Sequence, residues 1–170
     1  MDLHLADKVI IVTGGAKGIG NAICNVLAEE GAIPVIVGRK ESDNQLAVET
    51  IKKNGGNSFF VTAELGGPES SQMMVRETVN KFGRIDGLVN NAGLNDGVGL
   101  EHGDYDRFMA SLHHSLTHYY LMAHYTLPEL KKSKGAIINI SSKTGETGQG
   151  NTSGYAASNG ARNALTREWA

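Results

Sequence analysis

The chain has 170 residues, which at about 150 residues per domain predicts a single domain. The 16 Lys and Arg residues against 18 Asp and Glu residues give a formal charge of −2, which argues against a nucleic-acid partner. With 40% hydrophobic and 20% charged residues, the composition is typical of a soluble globular protein. The 22 glycines against only 3 prolines indicate that glycine serves backbone geometry rather than low complexity.

The first residues carry no targeting signal. The chain begins Met1-Asp2-Leu3-His4, without a basic segment or a long apolar stretch. No run approaches the ~18 apolar residues of a membrane-spanning helix. The one cysteine, Cys24, has no partner for an internal disulfide and lies in the apolar pattern of a helix. We therefore expect a cytoplasmic protein with no membrane partner and with Cys24 in its core.

Apolar and β-branched runs alternate with segments of helical spacing along the whole chain. Predicted strands cover residues 8–13, 33–37, 57–63, 87–90 and 136–140. Predicted helices cover residues 21–30, 45–53, 69–82, 105–132 and 155–170, with a polar segment at 141–154. This alternation predicts an α/β protein with a doubly wound, mostly parallel, Rossmann-type sheet of about five strands and helices on both faces. Ligands of such sheets bind at the carboxyl ends of the strands.

Glycines cluster in the turn between the first strand and the first helix. Residues 13–20 read TGGAKGIG, which places Gly14, Gly18 and Gly20 in a G-x-x-x-G-x-G pattern. Such glycines permit a tight turn, let backbone N–H groups approach a pyrophosphate, and allow close packing of helix on strand. A glycine turn is often purely structural, but its place in the first strand-helix-strand unit predicts nucleotide binding.

Four motifs follow one another in order: the glycine turn, Asn90-Asn91-Ala92-Gly93, Ser141-Ser142 and Tyr155. Together they resemble the short-chain dehydrogenase/reductase family over the whole chain. Segments 119–125, 148–151 and 165–170 are similar to its L-fucose dehydrogenase branch. The resemblance implies that residues 1–170 form one NAD(P)-binding domain. It also implies an oxidoreductase that transfers hydride between NAD(P) and a small-molecule alcohol or carbonyl, a sugar among the candidates.

The residues after the second strand bear on the choice of cofactor. A Rossmann strand usually ends there in an acidic residue that binds the ribose 2′-hydroxyl, but Gly38-Arg39-Lys40 stands instead. Arg39, reinforced by Lys17, suits the 2′-phosphate of NADP. NAD is the alternative, with Arg39 and Lys40 then only solvating the strand end. The resemblance implies further cofactor contacts from Gly14, Gly18, Ile19, Gly20, Glu64, Asn90, Asn91, Ala92, Gly93, Tyr155 and Asn159.

The resemblance also assigns catalytic positions, two of which carry unusual residues. Tyr155 would act as the acid/base group, and Ser142 would bind the substrate oxygen unless it is an ordinary loop serine. The family has a lysine four residues after the tyrosine, which lowers the tyrosine pKa, but Asn159 stands here and carries no charge. Ser115 occupies the place of a helix asparagine that helps order a proton-relay water. We therefore expect impaired turnover.

Two further observations complete the sequence-based prediction. Family members continue beyond the helix that begins near Tyr155, whereas this sequence ends at Ala170, so we expect a C-terminally truncated domain that can form a homo-oligomer. A non-catalytic nucleotide-binding relic and a non-functional fragment are the alternatives. His114 and His118 are spaced i, i+4, but no HExxH motif or cysteine pair accompanies them. We place both histidines on a helix surface or interface and predict no metal site.

Overall fold

Five parallel strands form the centre of the molecule in a computed structural model that describes residues 1–170. Their order across the sheet is β3-β2-β1-β4-β5, and each neighbouring pair is parallel. This confirms the doubly wound α/β prediction. The strands are β1 Val9–Thr13, β2 Ile33–Gly38, β3 Phe59–Thr62, β4 Gly87–Asn90 and β5 Ala136–Asn139.

Helices cover both faces of this sheet. They are α1 Gly18–Glu29, α2 Glu41–Lys53, α3 Pro68–Phe82, α4 Tyr105–Leu112, α5 His118–Ser133, α6 Thr144–Thr147 and α7 Ser153–Trp169. Side chains of α1 and α2 pack in one buried cluster, and side chains of α3 and α5 pack in another on the opposite face. None of these helices combines the length and apolar character needed to cross a bilayer.

The alternation of side chains along β1 explains why the sheet has two cores. Val9 and Ile11 enter the cluster beside α3 and α5, whereas Ile10 and Val12 enter the cluster beside α1 and α2. Every residue of β1 is buried, as expected for a central strand of a parallel sheet. Cys24 is fully buried in the second cluster, which confirms its predicted place in the core.

The helix predicted over residues 105–132 is interrupted. A π-helical turn, His113–Thr117, separates α4 from α5, and Ser115 is fully buried within it. The main-chain oxygen of Ser115 accepts a hydrogen bond from Nε of Arg162 on α7 at 3.0 Å. Apolar spacing carries no sign of such a tertiary contact, so periodicity predicted one continuous helix. The polar segment 141–154 likewise contains the short α6.

Two strands lie at the edges of the sheet, β3 and β5. Ile138 of β5 is 54% exposed. A groove of about 580 Å³ runs beside β5, lined by Leu127, Leu130, Ile137 and Trp169 among others. The order of strands reverses between β1 and β4, because the chain leaves β1 towards β2 and later returns to the other side of β1. The crevice at this reversal is where doubly wound sheets bind ligands.

Candidate active site

A cavity of about 590 Å³ opens at the carboxyl ends of the strands, and we call it the strand-end cavity. It is bounded by residues that follow all five strands, from Gly14 after β1 to Ser141 after β5. Tyr155 of α7 lines the same cavity as the glycine turn. Predicted site residues that line it are Gly14, Lys17, Ile19, Arg39, Glu64, Asn91, Ala92, Gly93 and Tyr155.

The glycine turn has the geometry of an anion site. Gly14 and Gly18 have φ values of +66° and +53°, the left-handed region that favours glycine. No atom lies within 4 Å of the position that a Gly18 Cβ would take, so the turn faces open space. The N-terminus of α1 has no side-chain cap and no acidic residue in its first turn. Its N–H groups and positive helix end are therefore available to a phosphate.

Gly20 serves close packing rather than phosphate approach. A Cβ at this position would collide with the main-chain oxygen of Gly14 and with the side-chain amide of Asn91. That amide donates hydrogen bonds to the main-chain oxygens of Thr13 at 2.9 Å and Gly14 at 3.4 Å. The loop after β4 is therefore held directly against the glycine turn, which explains why the two motifs occur together.

Thr13 fixes the same loop from the end of β1. Its buried hydroxyl oxygen accepts hydrogen bonds from the main-chain N–H groups of Asn91 at 2.9 Å and Ala92 at 3.1 Å. Asn90, which sequence analysis placed at the cofactor, is fully buried and does not line the strand-end cavity. Its amide donates to Tyr119 and Asn139 instead. Asn91 is the asparagine of this motif that faces the cavity.

The cations predicted to select NADP both have carboxylate partners. Nη1 of Arg39 lies 3.5 Å from Oε1 of Glu64, and the two side chains are 75% and 66% exposed. Nζ of Lys17 lies 2.8 Å from Oδ2 of Asp43. The hydrogen bond from Lys17 lowers the pKa of Asp43 below its usual value, so that carboxylate stays ionised. Neither pair could be predicted from the sequence.

The four catalytic positions have unequal access to the cavity. Tyr155 is half-buried and lines it. The Ser142 hydroxyl donates to Oγ1 of Thr144 at 3.0 Å, and Ser141 rather than Ser142 lines the cavity. The Ser115 hydroxyl is buried and donates to the main-chain oxygen of Leu94 at 3.1 Å.

Asn159 is also fully buried, and its amide is engaged within the protein. Its Nδ2 donates to the main-chain oxygen of Tyr155 at 2.8 Å, one turn earlier on α7. Its Oδ1 accepts from Nη1 of Arg162 at 3.1 Å. Asn159 does not line the strand-end cavity. The structure therefore shows this amide supporting a neighbouring cation.

Arg162 is the residue that sequence analysis missed. It is 3% exposed, lines the strand-end cavity, and forms no ion pair with any carboxylate. The guanidinium carbon lies 4.2 Å from the centre of the Tyr119 ring. Burial lowers the pKa of this guanidinium, yet arginine stays protonated in proteins. Its spacing of seven residues from Tyr155 was the available signal, because residues two turns apart share a helix face.

His118 lies beside Arg162 and is buried, so its predicted place on a surface or interface was wrong. It is 1% exposed, and its Nε2 lies 3.0 Å from the main-chain oxygen of Ala92. Burial, and secondly the charge of Arg162, lowers the pKa of His118 to about 4. The imidazole is therefore neutral, with Nε2 donating to Ala92. No group of three His, Cys, Asp or Glu side chains is placed to hold a metal ion.

Comparisons with known proteins agree with this geometry. The family model described as "short chain dehydrogenase" matches residues 8–170. L-fucose dehydrogenase of Bos taurus is 34% identical over 168 residues, which cover 98% of this chain and 61% of the bovine protein. The crystal structure of Cj0485 dehydrogenase is 41% identical with a TM-score of 0.92, and covers 99% of this chain and 64% of that chain.

A third comparison concerns a protein with a stated cofactor. The NADH-dependent reductase A1-R′, responsible for alginate metabolism, is 28% identical with a TM-score of 0.92. The match covers 98% of this chain and 71% of that chain. The chain thus spans less than two thirds of the bovine relative and of Cj0485 dehydrogenase.

Taken with the fold and the glycine turn, these matches show that the chain belongs to the short-chain dehydrogenase family. Family and fold imply binding of a nicotinamide dinucleotide, NAD(P). The residues present fit that group, because the uncapped α1 N-terminus and the open space at Gly18 suit a pyrophosphate. Residues of this turn and Tyr155 line the same strand-end cavity.

Proposed function

We propose that this protein is an NADP-linked oxidoreductase of small-molecule alcohols or carbonyls, with Tyr155 as its acid/base group. One observation carries the proposal: the glycine turn and Tyr155 line a single cavity at the point where strand order reverses. Residues 1–170 act as one NAD(P)-binding domain in this proposal. Similarity to L-fucose dehydrogenases supports a sugar as the first substrate to test.

The dinucleotide is held by the residues at the strand ends. The α1 N-terminus would hold the pyrophosphate, and the loop Asn91, Ala92 and Gly93 would form the neighbouring wall of the site. When bound, the nicotinamide supplies hydride exchange with a substrate carbon. In alcohol oxidation the phenolate of Tyr155 accepts the hydroxyl proton, and Ser142 donates a hydrogen bond to the same substrate oxygen. Ser142 exchanges its present bond to Thr144 for this one.

NADP is the proposed cofactor because β2 is followed directly by Arg39 and Lys40 rather than by a carboxylate, and because Arg39 lines the cavity. The exposed pair Arg39–Glu64 contributes about 0–1 kcal/mol, whereas a guanidinium binds a phosphate through stronger, bidentate hydrogen bonds. A 2′-phosphate therefore displaces Glu64 from Arg39. NAD is the alternative, supported by the NADH dependence of the related reductase A1-R′ and by the carboxylate partners of both cations.

A second candidate function is dinucleotide binding without turnover. Asn159 favours it, because the buried amide at this position carries no charge and its polar atoms are already bonded to Tyr155 and Arg162. In that case Ser142, Tyr155, Ser115 and Asn159 keep only structural roles. A cytoplasmic location and a homo-oligomer are further parts of the proposed function. Sedimentation velocity tests the oligomer.

The proposed function is tested in two stages. Calorimetric titration of NADP and of NAD into the protein measures whether one dinucleotide binds per chain. Turnover is then followed by the absorbance of reduced nicotinamide, with L-fucose first and other sugars and simple alcohols after it. Binding with turnover supports the oxidoreductase, binding without turnover on any substrate supports the second candidate, and absence of binding contradicts both.

A further inference from the structure

Arg162 differs from the other arginine and lysine residues that line the strand-end cavity. Lys17 pairs with Asp43 and Arg39 pairs with Glu64, so the charge of each is largely neutralised by a carboxylate. All the hydrogen-bond partners of Arg162 are neutral oxygens. A guanidinium that is buried without a counter-charge is costly to desolvate. Because no carboxylate neutralises this guanidinium, its positive charge acts on groups that line or enter the strand-end cavity.

The guanidinium is fixed in place by three elements. Nε and Nη2 both donate to the main-chain oxygen of Ser115 in the π-helical turn, and Nη1 donates to the main-chain oxygen of Ile140 at 3.3 Å. The further bond to Asn159 means that four of the five N–H groups are used. A Cβ on Gly93 would lie only 2.8 Å from Nη2, so the glycine leaves room for the cation.

The charge of Arg162 lies closer to the N-terminus of α7 than the Arg162 Cα does. Side chains on a helix point back towards the N-terminus, and the Nη1 bond to Oδ1 of Asn159 places the guanidinium beside residue 159. Asn159 is in turn bonded to the main-chain oxygen of Tyr155, one turn before it. The positive charge thus stands at the helix turn next to Tyr155, and both side chains line the same cavity.

A tyrosine that accepts a proton near neutral pH needs a positive charge nearby, because a cation stabilises the phenolate. Residue 159 is neutral and cannot provide that charge. We propose that Arg162 is a positioning residue that supplies Tyr155 with the positive charge that Asn159 lacks. This inference rests on the proposed role of Tyr155 as the acid/base group. Compared with the family pattern, the positive charge on α7 then comes from residue 162 instead of residue 159.

The neighbouring titratable groups leave the charge of Arg162 unopposed. Burial raises the pKa of Tyr119 to about 12 even though Arg162 acts in the opposite direction, so this phenol stays neutral. His118 is neutral as described above. The elements packed against α7 carry Tyr105, Asp106 and Arg107 on α4, His113 and His114 on the π-helical turn, and Glu146 on α6. Arg167 and Glu168 lie on α7 itself, and His118, Tyr119, Lys143 and Asp96 lie on the adjoining segments. Two carboxylates on these segments have other partners, because Asp96 accepts a hydrogen bond from Ser111 and Glu146 accepts one from Asn163.

The ionisation of Tyr155 can be measured directly in the protein without dinucleotide. Tyrosine carrying an isotope label at the ring carbon that bears the hydroxyl gives an NMR signal that moves when the phenol loses its proton. The Tyr155 signal is assigned by its absence in Tyr155→Phe. We expect Arg162→Gln to move the deprotonation of Tyr155 upwards by about one pH unit or more, a tenfold change in proton affinity. Arg162→Lys should restore most of the shift.

A folding control accompanies these variants. Arg162→Met removes a buried charge that has no carboxylate partner, and apolar replacement of buried charge is often tolerated. It therefore gives a second neutral variant should Arg162→Gln not fold. If Arg162 only joins α7 to the π-helical turn, both variants lower the midpoint of thermal unfolding but leave the Tyr155 titration where it is. An unchanged titration in either folded variant overturns the proposal.

Kinetics separate this inference from the proposed function. We expect Arg162→Gln to lower kcat at neutral pH about tenfold or more, to move the rise of kcat to higher pH, and to leave KM for the alcohol nearly unchanged. A titration that depends on Arg162 in a protein that binds no dinucleotide would support the inference and contradict the proposed function. Turnover in a protein whose Tyr155 titration does not depend on Arg162 would support the proposed function and contradict the inference.

Discussion

The side-chain oxygen of Asn159 accepts a hydrogen bond from Nη1 of Arg162 at 3.1 Å. The neutral side chain of Asn159 therefore holds the guanidinium of Arg162, which lies three residues later on the same helix. Sequence analysis took Asn159 as a sign of impaired turnover, and that expectation stays a prediction. The structure adds a buried positive charge at the same turn of α7, so competence now depends on whether this charge acts on Tyr155.

The first prediction concerns the glycine turn. Gly18→Ala should weaken NADP binding at least about tenfold, or about 1.4 kcal/mol, because the new Cβ occupies the open space that a phosphate approaches. Gly83→Ala is the matched control, since Gly83 has a φ of +71°, equally open surroundings and a place at the end of α3 away from the cavity. Both changes should cost about 1–2 kcal/mol of unfolding free energy. Equal NADP affinity in the two variants would contradict the assignment.

The second prediction concerns cofactor choice. Arg39→Ala should lower affinity for NADP about tenfold and leave affinity for NAD nearly unchanged, because only NADP carries the 2′-phosphate. Arg76→Ala removes another exposed arginine, from α3, and should change neither affinity. Calorimetric titration of both dinucleotides measures the difference. A wild type that prefers NAD tenfold would show that the interpretation of the β2 end is wrong.

The third prediction tests the carboxylate that pairs with Arg39. Glu64→Gln should raise NADP affinity about threefold, since it frees Arg39 from an exposed ion pair of about 0–1 kcal/mol and removes repulsion of the phosphate. Glu77→Gln, which breaks the comparable exposed pair with Arg76, serves as the control and should have no effect. Weaker NADP binding in Glu64→Gln would indicate that Glu64 contacts the cofactor itself.

The fourth prediction follows from the buried histidine. The folded protein keeps His118 neutral down to about pH 4, whereas the unfolded chain protonates this histidine below about pH 6.5. The unfolded state therefore binds more protons in this window, and the free energy of unfolding should fall as the pH drops from about 6.5 to about 4. The His118 contribution amounts to about 3 kcal/mol at most.

Urea unfolding at several pH values measures this dependence. His118→Gln keeps a donor for the main-chain oxygen of Ala92 and should flatten the curve between about pH 4 and about pH 6.5. His102→Gln changes an exposed histidine and should leave the curve as it is in the wild type. If the free energy of unfolding of the wild type does not change between about pH 4 and about pH 6.5, folding does not lower the pKa of His118 and the prediction is wrong.

Strand positions and the glycine turn could be predicted because local patterns determine them. The buried run of β1 and the spacing of Gly14, Gly18 and Gly20 are visible in the sequence alone. The π-helical turn could not be predicted, because it is accompanied by a contact between Ser115 and Arg162, 47 residues apart. Burial of His118 was missed for the same reason, since its partner Ala92 lies 26 residues earlier.

The sequence predicted the kind of site, but it did not predict which side chains pair with the cations of the site. The sequence identified Arg39 after β2 and Lys17 in the glycine turn as cations of the cofactor site, but their carboxylate partners Glu64 and Asp43 come from different elements. Arg162 looked like an ordinary helix residue because nothing local indicates that its side chain contacts Ser115, Ile140 and Asn159. Tertiary contacts between side chains decide which charges in the cavity are neutralised.

The most direct test of the whole account compares wild type with Tyr155→Phe at saturating dinucleotide. Tyr155→Phe should bind NADP as the wild type does but lose about 10²–10⁴-fold in kcat on the accepted alcohol. Tyr120→Phe, which removes a hydroxyl from a tyrosine that is 52% exposed on α5, should keep full turnover. Equal kcat in the wild type and Tyr155→Phe, or no turnover in a wild type that binds NADP, would contradict a Tyr155-dependent dehydrogenase.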